Sequence, residues 1–99
     1  MRYNFEWDPA KAKHNSRQHQ VSFERATTVF SDANQLTIFD EDHSDDEERW
    51  LTLGLDRNGV LLVVVHTFKE INNSDVSTRI ISARKATRRE IKQYEEFNP

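Results

Sequence analysis

The sequence contains no cysteine, which excludes a disulfide framework, a cysteine-ligated zinc site and thiol catalysis. Glycine and proline occur only twice each in 99 residues. Two glycines cannot build a phosphate-cradling loop or a G-x-G-x-x-G turn, so a P-loop or a nucleotide cofactor is disfavoured. So few chain breakers also leave little room for flexible linkers. There is no G-x-S-x-G nucleophile elbow, no HExxH pair and no internal repeat. The longest apolar run, Val60–Val65, is six residues, against the ~20 that a membrane helix needs. The start, Met1-Arg2-Tyr3-Asn4-Phe5-Glu6, has no apolar h-region and does not resemble a signal peptide. These absences lead to the expectation of one cytoplasmic domain spanning residues 1–99, with no membrane contact.

What the chain does contain is charge. Charged residues make up 31% and hydrophobic ones 35%, with aromatics at 10% and a net charge of −3. Low hydrophobicity with high net charge would suggest disorder, but here the net charge is small and the apolar residues are clustered. A folded, polar domain follows, with a small core and a shallow working surface. The charge is unevenly placed. Asp40–Glu48 holds seven acids and no lysine or arginine, whereas Arg79–Lys92 holds six basic residues against one acid, Glu90. A basic segment in a near-neutral protein presents a local patch to a phosphate backbone.

Local patterns give the order of elements. Phe5–Pro9 is an extended entry, and Asp8-Pro9 is a helix start, with Asp at the N-cap and Pro in the first turn. Ala10–Gln18 is then a polar helix. Ser22 opens a second helix whose Phe23, Ala26 and Val29 or Phe30 recur at helical spacing. Leu36–Phe39 reads as a strand, and Arg49–Leu55 alternates, with Leu51, Leu53 and Leu55 on one face. Asn58-Gly59 is a hairpin signal pairing Arg49–Leu55 with Val60–Phe68. A polar loop over 70–75 leads into a strand at Val76–Ala83. Thr87-Arg88-Arg89-Glu90 is a capping box that starts a last helix through Phe97. The expected fold is α+β: one twisted antiparallel sheet, β-α-α-β-β-β-β-α, with the helices packed on it.

The same residues limit the chemistry. The acidic stretch is not an EF-hand loop, since Asp45 and Leu51 stand where Gly and a bidentate Glu are required. No metal or cofactor is therefore expected. The remaining palette of Arg, Lys, His, Glu and Tyr suits metal-free RNA cleavage. The ribose 2′-hydroxyl is the nucleophile, and the protein need only move protons and neutralise the phosphorane. Arginine's planar fork matches that charge. On strict alternation, Ser82 and Arg84 share one face of their strand, with Arg79, Ile81 and Ala83 on the other. Either arginine could instead serve an internal salt bridge, to Glu48 or another acid. His66 falls on the face of Leu62, Val64 and Phe68, where a histidine is commonly a satisfied sheet residue. Arg49 shares the leucine face if its strand alternates strictly. Trp7 and Trp50 read as core or rim aromatics.

Taken together, several stretches resemble the BrnT family, the ribonuclease toxins of type II toxin–antitoxin pairs. They are Phe5–Pro9 with Lys11, Asn15 and His19; Val21–Glu24 with Ala26, Val29-Phe30 and Asp32; Glu48-Arg49 with Gly54; and Arg79–Glu90 with Tyr94. The resemblance implies a RelE-like microbial ribonuclease fold, RNA cleavage that halts translation, and neutralisation by a BrnA-like antitoxin that carries the DNA contact. The family's glycine at the end of the first helix is Gln20 here. Either Gln20 takes a left-handed conformation, at ~1–2 kcal/mol, or the helix ends differently. On this reading Arg49, Arg79 and Arg84 contact phosphate or transition state, and Glu48, His19 and His66 are the acid–base candidates. Lys13, Arg88 and Arg89 would steer RNA. The alternative is a catalytically silent module that only binds its antitoxin; a DNA-binding regulator acting alone lacks a recognition-helix signal.

Overall fold

A computed structural model describes residues 2–44 and 46–98; Asp45, the sixth position of the acidic stretch, lies outside the described residues. In chain order the elements are β1 (Arg2–Glu6), α1 (Pro9–His19), α2 (Phe23–Thr27) running into a 3-10 turn at Thr28–Ser31, and β2 (Leu36–Phe39). A short 3-10 turn at Glu41–His43 follows. The remainder is β3 (Trp50–Leu55), β4 (Leu61–His66), β5 (Lys69–Glu70), β6 (Asp75–Lys85) and α3 (Arg88–Phe97). None of the described helices is long and apolar enough to cross a membrane.

Helix boundaries follow the caps. The Asp8 carboxylate accepts from the Ala10 N–H, and Ser22 accepts from the Arg25 N–H. Thr87 and Glu90 close the expected capping box. The Asn58-Gly59 segment joins β3 to β4 as expected. Gly59 alone adopts a positive φ, 77°, while Asn58 does not. The Gly59 N–H donates to the Asp56 carbonyl, which fits a type I turn with a glycine bulge, not the mirror-image turn that Asn-Gly favours.

The strands form one sheet in the order β1-β6-β4-β3-β2, with β5 beside β6. It is mixed, which corrects the expectation of an antiparallel sheet: β1 runs parallel to β6, pairing Arg2 with Asp75 through Glu6 with Arg79. The long α1–β4 connection allows β1 to reach β6 in that sense, as a parallel pair requires. β5 was not expected either; it pairs Lys69 with Ser77 and Glu70 with Val76.

One face of the sheet is packed by α2 and the turn after it. Val21, Phe23, Ala26, Val29 and Phe30 meet Leu62, Val64, Ile80 and Ala83 in the core. The other, here called the open face, is partly covered by α3. A groove of about 210 Å³ remains there, lined by residues including Leu36, Ile38, Leu51, Leu53 and Phe97.

Two local features decide what stands on each face. Val65 pairs with Ser82 and His66 with Ile80, so Ile81 is an unpaired bulge residue. The bulge shifts the alternation by one. Ile80 and Ala83 both enter the core, and Arg79 joins Ser82 and Arg84 on the open face. This corrects the strict alternation that separated the two arginines. The second feature is Asn15, buried on α1. Its Nδ2 donates to the carbonyls of Val21 (2.9 Å) and Ala83 (2.8 Å), and its Oδ1 accepts from the Ala83 N–H (3.1 Å). An amide side chain thereby completes the strand edge where β1 has ended. Just after it, Gln20 closes α1 at φ 55°, ψ 32°, so the left-handed conformation is held by a non-glycine residue.

These two positions move stability in opposite directions. Asn15→Ala strands a buried backbone N–H and two carbonyls and is expected to cost about 2–4 kcal/mol. Gln20→Gly relieves the left-handed strain and is expected to gain about 1 kcal/mol. Urea denaturation midpoints at constant slope check both.

Candidate functional site

The open face carries Arg49 and Arg79 near the end of the sheet where β1 finishes. Arg79 is anchored through its backbone: its N–H donates to Thr67 Oγ1 (3.0 Å), and its carbonyl accepts from the Thr67 N–H (3.0 Å). Arg49 precedes β3 and is anchored by the acidic loop. Its N–H donates to Ser44 Oγ (3.0 Å), and its carbonyl accepts from the Asp40 N–H (2.9 Å). Both guanidinium groups converge on a single carboxylate oxygen. Arg79 Nη2 donates to Glu47 Oε1, and Arg49 Nη2 stands 3.8 Å from the same atom. Arg49 Nε is buried and has no hydrogen-bond partner among the described residues.

Glu47 separates two shallow grooves. One, of about 340 Å³, is lined by residues including Glu6, Glu48, Thr67, Phe68 and Arg79. The other, of about 290 Å³, is lined by Asp42, His43, Asp46, Glu47 and Arg49. Two guanidinium groups around one acidic oxygen form a site for a doubly coordinated oxyanion, at present held by the chain's own carboxylate. Sequence reasoning named Glu48, and the structure brings in its neighbour. Glu48 is exposed on the rim of the groove. Within a run of seven acids, no local signal marks the one that turns toward the arginines.

The other expected residues stand elsewhere. His66 is on the opposite face, 1% exposed, with its ring edge-on to Phe30 at 4.9 Å. Its Nδ1 donates to the Thr67 carbonyl (2.8 Å), and its Nε2 accepts from Thr52 Oγ1 (2.7 Å). Burial pushes its pKa down, against the opposing hydrogen bond to Thr67. It is a neutral core residue without access to a substrate on the open face, which corrects its assignment as an acid–base candidate. His19 ends α1 and lines a separate groove with Lys11, His14 and Gln18. Lys13 is exposed on α1, and Arg88 and Arg89 are exposed in the first turn of α3.

Arg84 is on the open face but is already engaged. Its guanidinium forks onto Glu90 at 2.7 and 2.9 Å, and Glu90 Oε1 also accepts the Thr87 N–H (2.8 Å). The hydrogen bond from Arg84 is the main cause holding the Glu90 carboxyl down at about 2. Arg84 thus ties the start of α3 to β6. The far end of α3 is tied by Tyr94, whose hydroxyl donates to Asp32 Oδ2 (2.6 Å). Burial and that carboxylate raise the Tyr94 hydroxyl to about 12.

A family model described as the ribonuclease toxin BrnT of type II toxin–antitoxin systems matches residues 7–90, a span that includes Glu47, Arg49, Arg79, Arg84 and Glu90. The fold is similar to the 1.1 Å crystal structure of the Brucella abortus ribonuclease toxin BrnT, at 21% sequence identity and a TM-score of 0.53. The similarity covers 85% of this chain and 96% of that one. No curated protein matches the sequence.

The Arg84–Glu90 pair makes stability depend on acid. A carboxyl whose pKa is lowered from 4.5 to about 2 on folding adds stability above pH ~4.5, which is lost as the pH falls toward 2. Arg84→Ala is therefore expected to cost about 1 kcal/mol at pH 7, given that the arginine is partly exposed. The difference from the unmodified chain should shrink steadily below pH ~4.5. Thermal melts of both proteins across that range are the measurement.

Proposed function

The chain belongs to the BrnT family of ribonuclease toxins of type II toxin–antitoxin systems, and from that premise we propose that Arg49, Arg79 and Glu47 cleave RNA without a metal ion. The observation that carries this reading is the convergence of both guanidinium groups on one carboxylate oxygen. A scissile phosphate takes the place of that oxygen between the arginines. The displaced Glu47 carboxylate remains beside the phosphate and accepts the proton of the 2′-hydroxyl. The 2′-oxygen attacks phosphorus, and negative charge gathers on the phosphorane oxygens, where the two guanidinium groups are already oriented. The bond to the 5′-oxygen then breaks. Solvent, which has free access to the open groove, protonates that oxygen, leaving a 2′,3′-cyclic phosphate. Arg88 and Arg89, exposed at the same end of α3 as Arg84, add positive potential for a polyanion.

The wider reading rests on the same premise. The scaffold is taken as a RelE-like microbial ribonuclease fold, and cleavage of cellular RNA as the means of halting translation. A BrnA-like antitoxin neutralises the toxin by covering the open face, and contact with DNA runs only through that partner. One observation favours a second reading. The Arg79–Glu47 ion pair also fits a structural clasp for the acidic loop, in a silent member that only binds its antitoxin.

One set of measurements separates these readings. The purified protein is expected to cleave single-stranded RNA in excess EDTA, giving 2′,3′-cyclic phosphate ends. Arg79→Ala should lower kcat by ~10²–10³ with little change in melting temperature, and Glu47→Gln should lower kcat while the fold persists. Absence of cleavage together with a depressed melting temperature in both variants would establish the clasp.

A further inference from the structure

The edge of β6 is in three different situations along its length. Up to Arg79 it is covered by β1, and at Ala83 it is covered by the Asn15 amide. Between them lies the bulged segment Ile81-Ser82, with no strand beside it on that edge. This gap opens into a groove of about 360 Å³ whose outer wall is α1. Lys11, His14, Gln18 and His19 recur at helical spacing and form that wall. In a chain with 17 acidic residues, no carboxylate is among the described residues that line it. The two grooves beside Glu47 are, by contrast, rimmed with acids.

The lining offers three kinds of contact. Lys11 supplies a fixed positive charge on an exposed stem, and His14 and His19 supply planar rings. Gln18 supplies an amide with both donor and acceptor. Stacked bases, phosphate oxygens and base edges are the groups that such a set accommodates in single-stranded RNA. The groove is also placed along the same strand as one of the two arginines. Ser82 shares the open face with Arg79 and lies three residues along the same strand, roughly 10 Å away at ~3.3 Å per residue. Adjoining nucleotides of one RNA strand span such a distance.

We propose that the groove between α1 and the bulged edge of β6 is a subsite for nucleotides flanking the scissile phosphate. The proposal rests on the ribonuclease reading above for its substrate. In it, bases stack on His14 and His19, and Lys11 meets a backbone phosphate. The groove adds affinity for longer RNA and takes no part in proton transfer at the cleaved bond.

The test uses a double variant, Lys11→Gln with His14→Ala; both side chains are exposed, and an unchanged melting curve checks the fold. Fluorescence anisotropy measures binding of a short, labelled 2′-O-methyl oligoribonucleotide, which cannot be cleaved. The variant is expected to bind about tenfold more weakly, the size of one lost stacking contact. Cleavage of an unmodified oligonucleotide should show a similar rise in KM at nearly constant kcat, and a dinucleotide substrate should show no change. Equal binding by the two proteins overturns the subsite, as does an undetectable affinity in the unmodified protein. A fall in kcat on the dinucleotide also overturns it, because the residues would then act in the chemistry. A protein that binds the 2′-O-methyl probe but cleaves nothing would end the ribonuclease reading, while the anisotropy comparison would still decide the groove.

Discussion

Three hydrogen bonds made by the buried Asn15 side chain join α1 and the turn after it to β6. A strand edge inside a protein must satisfy its N–H and C=O groups or lose stability. β1 satisfies the edge of β6 only as far as Arg79. Past that point the chain uses an amide on a helix, which presents one donor and one acceptor just as a neighbouring strand would. Because the same Nδ2 also holds the Val21 carbonyl, the turn after α1 is fixed relative to β6. Phe23, Ala26 and Val29 can then enter the core at a set angle. The strained Gln20 is part of this arrangement: its left-handed backbone turns the chain sharply enough for Val21 to reach the Asn15 amide. Its carbonyl then accepts from Arg25 Nη1 (3.3 Å), and Arg25 in turn pairs with the buried Asp56 at 2.8 Å. One line of polar contacts thus runs from α1 to the β3–β4 turn.

The sheet separates its apolar packing from its arginines by face. The helix-packed face carries the closely packed aliphatic and aromatic residues, together with His66 bridged between Thr52 and Thr67. The open face carries the arginines, and α3 covers it only in part. The bulge at Ile81 is what makes this division complete. Without it Arg79 and Arg84 would fall on opposite faces, and one of them would point into the core, where an unpaired guanidinium is prohibitively costly. The bulge therefore serves packing and site construction at once. It keeps Ile80 and Ala83 buried while both β6 arginines, Arg79 and Arg84, face outward. Arg84 then settles on Glu90 and secures α3, leaving Arg49 and Arg79 as the pair around Glu47.

Much of this was legible in the sequence, and the unread parts have identifiable physical causes. Asp8-Pro9, Ser22 and the Thr87–Glu90 box mark helix starts through local hydrogen bonds. Those bonds depend on residues a few positions apart, so sequence alone displays them. Leu36–Phe39 and the β3–β4 hairpin were visible for the same reason. The parallel pairing of β1 was not, because it joins residues more than seventy positions apart with no turn between them. A bulge is likewise invisible to an alternation count, since it is defined by the partner strand. For the site, Arg49 and Arg79 stood out as arginines bordering apolar strands. Glu47 did not, because an acidic run gives every carboxylate the same local context. His66 looked ambiguous, and its burial decided the matter: the hydroxyl that occupies its Nε2 comes from Thr52, on a different strand.

Under the ribonuclease reading an acidic protein has to bind RNA, and its summed charge is a poor guide to that. Screening limits exposed charges to an influence of about 8–10 Å in physiological salt, so placement matters more than the total of −3. Here none of the described acidic-loop residues lines the groove whose wall is α1. Among the described residues, Glu47 is the acid that forms ion pairs with both arginines. Two half-exposed guanidinium groups held close together repel one another, and the bridging carboxylate offsets that repulsion in the free protein. Its hydrogen bond also holds the Arg79 guanidinium in place, so part of the side-chain entropy is already spent when an anion arrives. A phosphate that displaces the carboxylate therefore exchanges one charge-assisted pair for another at Arg79. Under the ribonuclease reading, the acid released by that exchange is left beside the 2′-hydroxyl, where a proton acceptor is required. The same contact then accounts for the stability of the empty site and for its chemistry when filled.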